Sequence, residues 1–186
     1  MHKNNHLFIG IISIIAIIFS FSYALYLVPT QTVFGFDQAR DAYEAYDIWH
    51  NHDLKILGPS SDIPGINHGV LWYYFLAVIY FLGQGIPDNT VYILILGLYA
   101  FIPVIGYITY KISKNVVMTG ITVTLYAMSP LYLSFTHWLS NPTLALFIVP
   151  PLFYLLWQYI HKMDLHNNFA SFSENPSNLF FVLQEE

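Results

Sequence analysis

The stretch FGFDQARDAYEAYDIW, residues 34–49, sets five charged side chains among aromatic residues: Asp37, Arg40, Asp41, Glu44 and Asp47. A carboxylate takes a proton from a group within hydrogen-bond reach, and a guanidinium holds a phosphate through paired N–H donors. Asp37, Arg40, Asp41 and Glu44 stand at i, i+3, i+4 and i+7, so a helix puts them on one face. Asp37 is a suitable residue to cap that helix. Ala39, Ala42, Tyr43, Tyr46 and Trp49 keep helical spacing on another face and would meet the membrane or a bundle. Two plainer readings compete: the charged face is only solvated, or Arg40 simply pairs with Glu44 one turn later.

The rest of the chain explains where such a helix would lie. Apolar residues make up 56% of the 186 residues and charged ones 9%, against about 25% charged in a soluble domain. That deficit points to an integral membrane protein. The net charge of −5 argues against a nucleic-acid partner. With no cysteine, disulfides and thiolate metal sites are excluded.

Four runs qualify or nearly qualify as spans: 7–28, 91–110, 116–135 and 143–160. Pro150 and Pro151 fall inside the last and should kink it. A fifth run, 70–82, is too short to cross and reads as an interfacial or re-entrant helix. If it does not cross, Lys3, Lys111, Lys114 and Lys162 all fall on one side, which the positive-inside rule makes cytoplasmic. The amino terminus is then cytoplasmic, and the loop 29–90 and the turn Ser140-Asn141-Pro142 lie outside. A cleavable signal peptide ending near Ser22-Tyr23-Ala24 is the competitor for the first run, and cleavage would leave this sidedness unchanged. The expected fold is therefore an all-α integral membrane protein of about four transmembrane helices, with surface helices near 37–50 and 70–82. Residues 1–162 form the membrane module and 163–186 a polar cytoplasmic tail.

Three segments carry a resemblance. FDQAR at 36–40, LGPSSDIPGINHGVLWYY at 57–74 and MSPLYLSFTHWLSNPTLA at 128–145 resemble, in order, the amino-terminal module of polyprenyl-phosphate-dependent membrane glycosyltransferases. These are the relatives of protein O-mannosyltransferase and lipid A aminoarabinose transferase, with the GT-C fold. The resemblance covers residues 5–162. It implies that Asp37 matches the catalytic carboxylate that opens a juxtamembrane helix, and that Arg40 matches the basic residue of the motif. His68 matches the histidine of a His-Pro-Pro-Leu segment, with Gly69 and Val70 in place of the prolines. Gln38 stands where many members carry Glu, and Asn141 near where several carry another acid.

What the resemblance implies chemically is inverting transfer of a sugar from a polyprenyl-phosphate donor to an extracytoplasmic acceptor, whether lipid, glycan or protein, at the cell membrane. Asp37 would be the general base. Arg40, Asp41, His68 and Tyr73 would contact substrate, with Arg40 on the phosphate. No resident metal or other cofactor is indicated, though a divalent cation is left open. The family continues with further spans, so a fragment or a non-catalytic scaffold that needs a partner is the alternative. A transporter subunit is the weaker one, because the four runs hold no ionisable residue.

The remaining features have plain readings. His50 and His52 alternate by two, as in a surface loop rather than a metal site. Trp49, Trp72, Trp138 and Trp157 sit near span boundaries, as aromatic-belt anchors do. Tyr73 and Tyr74 read as belt residues too, besides the sugar contact considered for Tyr73. Asp62 and Asp88 read as loop acids.

Overall fold

The computed structural model describes the backbone of residues 2–61 and 63–174 and the side chains of residues 7–61 and 63–162. Asp62 and the end of the polar tail, residues 175–186, lie outside the described residues. The helices are α1 (His2–Gln31), α2 (Phe36–Tyr46), α3 (Leu71–Leu82), α4 (Pro87–Ser113), α5 (Val116–Ala127), α6 (Pro130–Thr136) and α7 (Asn141–Glu174). A π-helical turn, Asp47–Asn51, follows α2. Among the described residues there is no strand, only two isolated bridges.

The described residues up to Phe147 form one compact unit and those from Ile148 onward a second. Three stretches are long and apolar enough to cross a membrane: Leu7–Gln31, Pro87–Ser113 and Asn141–Lys162. The pair α5 and α6 makes a fourth if taken as one span.

That pair corrects the expected single helix over 116–135, because α5 and α6 are bent by 52°. The reason is local. Helix α5 cannot run on through Pro130, which has no N–H to donate back to the preceding turn. The proline also drives Ser129 into an extended conformation, ψ 128°. Ser129 then caps α6, its Oγ accepting from the Tyr132 N–H. The break frees carbonyls at the end of α5. Ser20 of α1 satisfies one of them, donating to the Ala127 carbonyl at 2.5 Å while also bonding the Tyr99 hydroxyl at 2.6 Å.

Contacts of this kind fix the helix directions. Ser13 Oγ donates to the Gly120 carbonyl at 3.0 Å, in the first half of α5, and Ser20 reaches Ala127 at its last residue. Thus α1 and α5 run parallel. Close approach at the first point depends on Gly120, where a Cβ would lie 3.1 Å from Ser13 Oγ and collide with Ile9. Small residues and interhelical hydrogen bonds do this work in lipid, where burial of apolar surface gives little drive to associate. Tyr99 meets Tyr132 (5.6 Å between rings), whereas Gly106 lies beside Val123, so α4 runs antiparallel to α5 and α6. Residues 32–86 therefore leave and re-enter the bundle at the same end.

The short helix α3 belongs to that end. Its 12 residues pack on α2 and α4 through Trp72, Leu76 and Tyr80, all buried. Gly83 lets the chain turn back directly onto Thr90, where a Cβ would be 2.5 Å from the hydroxyl. In the second unit, α7 is one continuous helix through Pro150 and Pro151.

Candidate functional site

The first functional element is α2, and its orientation differs from the expectation. The helix begins one residue earlier than Asp37, with Gly35 as its cap, and the Gln38 side chain accepts from the Gly35 N–H at 3.0 Å. Asp37 is in the first turn, where a negative charge complements the helix dipole. The face turned into the protein is Gln38, Asp41, Ala45 and Ile48, while Phe36, Tyr43 and Tyr46 are exposed. Of the aromatic face, Tyr43 and Tyr46 are exposed, while Ala42 and Trp49 are partly buried against the core. Asp41 is buried among its neighbours, because it finds two partners there.

Those partners form a chain of charge-assisted bonds. Arg40 directs Nε and Nη2 to Asp41 Oδ1 at 2.9 and 2.8 Å, and Nη1 to Asp37 Oδ1 at 3.0 Å. The Trp72 indole N–H donates to Asp41 Oδ2 at 2.8 Å. The two carboxylates differ in access: the Asp37 side chain is 68% exposed and that of Asp41 6%. Burial pulls the Arg40 pKa down, but the hydrogen bond to Asp41 and the charges of Asp41, Tyr73 and Asp37 outweigh it, and the net shift is upward. The plain pairing of Arg40 with Glu44 is replaced. Glu44 instead accepts from Lys55 at 2.8 Å, which also meets Asp53 at 2.7 Å and Asp47 at 3.5 Å. This clasp, with the Tyr74 hydroxyl donating to the Lys55 carbonyl at 2.9 Å, holds the loop after α2 against α2 and α3.

The second element is a small hairpin over residues 58–69. Ser61 N–H donates to the Ile66 carbonyl at 3.0 Å and His68 N–H to the Pro59 carbonyl at 2.7 Å, on either side of a Ser60–Asn67 bridge. Its two arms touch at Gly58, where a Cβ would come 2.7 Å from the Gly69 carbonyl oxygen and collide with that of His68. At the turn, Gly65 takes φ 81°, a left-handed conformation open to glycine at little cost. The hairpin sets His68, which is exposed, toward the charged face of α2.

The third element is the start of α7. Ser140 and Asn141 are placed by a tight turn in which Ser140 N–H and Thr143 Oγ1 both donate to the Trp138 carbonyl at 2.8 Å. Together the three elements enclose a polar cavity of about 250 Å³ lined by Asp37, Arg40, Asp41, Ser60, His68 and Asn141, among others. An apolar cavity of about 440 Å³ adjoins it, with His68 and Asn141 common to both and Leu71, Trp72, Pro142 and Leu144 in its wall.

Of the residues singled out from the sequence, Asp37, Arg40, Asp41 and His68 meet in one cavity. Asp41 has both carboxylate oxygens engaged, which makes it a wall group rather than a free ligand. Tyr73 is only 5% exposed and does not line either of these cavities. Burial raises its hydroxyl pKa, with the Asp41 charge adding to that and Arg40 opposing it. Trp72, read from the sequence as a boundary residue, is 1% exposed and bonded to Asp41. Sequence reasoning missed Trp72, Ser60, Ser61 and Ser140 as site residues. The hairpin serines and Ser140 lay in segments readable as turns, but nothing in the sequence ties the Trp72 indole to Asp41. His50 stacks on Tyr46 at 4.7 Å, and among the described residues no three His, Asp or Glu side chains are grouped to hold a metal ion.

Comparison with known proteins adds nothing to this geometry: no family model, no curated protein and no solved structure matches the chain.

Proposed function

We propose that the chain is a module of a membrane glycosyltransferase of GT-C type that uses a polyprenyl-phosphate sugar donor and an extracytoplasmic acceptor. The observation that carries this reading is the joined pair of cavities, one polar and one apolar, that share His68 and Asn141. A lipid-linked sugar phosphate has the same division, with a polar head next to an apolar chain. The N-terminal end of α7 forms part of the polar wall, and helix N-termini favour anions.

In this reading the resting site holds Asp37 against Arg40. Asp37 is largely exposed, and exposed ion pairs contribute only about 0–1 kcal/mol. A donor phosphate takes over Nη1 of Arg40 and releases the Asp37 carboxylate. The acceptor hydroxyl then attacks the anomeric carbon from the face opposite the phosphate. The new C–O bond forms as the bond from the anomeric carbon to the phosphate oxygen breaks, and the leaving phosphate keeps the electron pair. Asp37 takes the hydroxyl proton, a contribution of ~10²–10⁴ in rate. Arg40 stabilises the charge that grows on the departing phosphate. The orientation follows the lysines, with Lys111 and Lys114 cytoplasmic and residues 32–86 at the outer leaflet.

The test is transfer by the full chain in lipid nanodiscs, offered a panel of polyprenyl-phosphate hexoses and pentoses with native membrane acceptors, and read as release of polyprenyl phosphate. Asp37→Asn should abolish release while expression and folding are kept. Undiminished release by that variant removes Asp37 as the base.

A further inference from the structure

Arg40 is the sole arginine in the sequence, and its direction is set from behind. One edge of the guanidinium, Nε and Nη2, is taken by a single oxygen of Asp41. The other oxygen of Asp41 is taken by the Trp72 indole of α3, 31 positions further along the chain. We propose that Asp41 and Trp72 are positioning residues that hold Arg40 with Nη1 turned to Asp37 in the polar cavity, a proposal that rests on the sugar-transfer reading for its functional meaning.

Three observations support it. A buried carboxylate needs its lone pairs matched, and Asp41 has a charged partner on one oxygen and a neutral N–H donor on the other. With Nε and Nη2 engaged in this way, Nη1 is the nitrogen left to face Asp37, which lies there at 3.0 Å. Trp72 also lines the apolar cavity, and its ring stacks on Phe75 at 5.8 Å. A single side chain therefore borders the lipid half of the proposed donor site and bonds the group that orients the phosphate half. A tryptophan used only for packing would not need to place its N–H on a buried carboxylate.

The test uses the full chain in nanodiscs, labelled with ¹⁵N-arginine, in which Arg40 gives one Nε–H signal. Trp72→Phe keeps an aromatic ring and removes the N–H. It should move that signal and speed its exchange with solvent, and lower kcat for transfer about ten-fold, as loss of one hydrogen bond to a charged group would. The KM for the donor should rise as well, by about three-fold or more, because Arg40 also holds the donor phosphate before transfer. If Trp72→Phe does not fold, Asp41→Asn, nearly isosteric, should give the same two changes. An Arg40 signal that stays in place in a folded, sugar-transferring variant overturns the proposal and leaves sugar transfer standing. A signal that moves in the variant, when the unsubstituted chain itself transfers no sugar, supports the positioning clamp and overturns the transfer reading.

Discussion

The Nε2–H of His137 donates to the Ala24 carbonyl at 2.8 Å, joining residues 113 positions apart. A carbonyl can only accept, so Nε2 is the donor in this bond. Nδ1 lies 2.9 Å from the Thr136 hydroxyl, and the whole residue is 4% exposed. The next residues continue the link, as Val33 N–H donates to the His137 carbonyl at 3.1 Å. The end of α1, from which α2 and Asp37 depart, is thus pinned to the end of α6. His137→Leu should remove the bond and leave a buried carbonyl with one acceptor site unfilled, at a cost of about 1–3 kcal/mol. Thermal unfolding in detergent should shift down by several degrees, and an unchanged midpoint would show that the bond is not holding the bundle.

Gly58 should be intolerant of a side chain for a different reason. The atoms a Cβ would strike, in His68 and Gly69, are backbone and cannot swing away. Gly58→Ala should separate the hairpin arms and move His68 from the cavity wall. Gly65→Ala is the contrast, because nothing lies within 4 Å there and only the left-handed backbone, about 1 kcal/mol, opposes it. Limited proteolysis of the two variants should show faster cutting within 58–69 for Gly58→Ala alone.

The Lys55 clasp gives a pH prediction. Hydrogen bonds donated to Asp53 and Glu44 hold the ammonium pKa above its ordinary 10.5. A lysine raised in this way contributes fully below its unfolded value and loses its contribution only as pH rises through the folded one. Hydrogen exchange in the backbone of residues 52–57 should therefore show the clasp intact at pH 8. Lys55→Met should raise exchange in this segment at pH 8, by leaving Glu44, Asp47 and Asp53 without their shared cation. Equal exchange in both proteins would mean the clasp contributes nothing to the loop.

Asn141 stands where the polar and apolar cavities meet. Asn141→Phe should block the passage between them with a bulky ring. On the sugar-transfer reading, KM for a long-chain polyprenyl donor should rise about ten-fold or more, while a water-soluble short-chain analogue is affected less. Equal losses for the two donors would separate the apolar cavity from lipid binding.

The Ser129-Pro130 pair shows a feature that was legible and still read differently. Serine before proline is a helix-start signal, yet the apolar run on both sides, 116–135, suits a single span. Hydropathy measures whether a segment can sit in lipid, and it does not register a break whose freed carbonyl is satisfied by Ser20 from another helix. Similarly, the spacing of Asp37, Arg40, Asp41 and Glu44 correctly placed them within one helix. It did not say which of them would turn inward.

Composition and periodicity alone pointed to a helical protein of about four spans, with a short apolar helix between the first two and a charged segment after the first, and the structure has three such helices, or four with the bent pair. Those properties follow from side-chain type and local spacing. The tertiary structure decided the partners: Asp41 rather than Glu44 for Arg40, Trp72 for Asp41, and Asn141 beside His68. Each of these depends on how distant helices and loops are brought together at one end of the bundle, and no local pattern of residues encodes a contact whose other half is supplied by a different part of the chain.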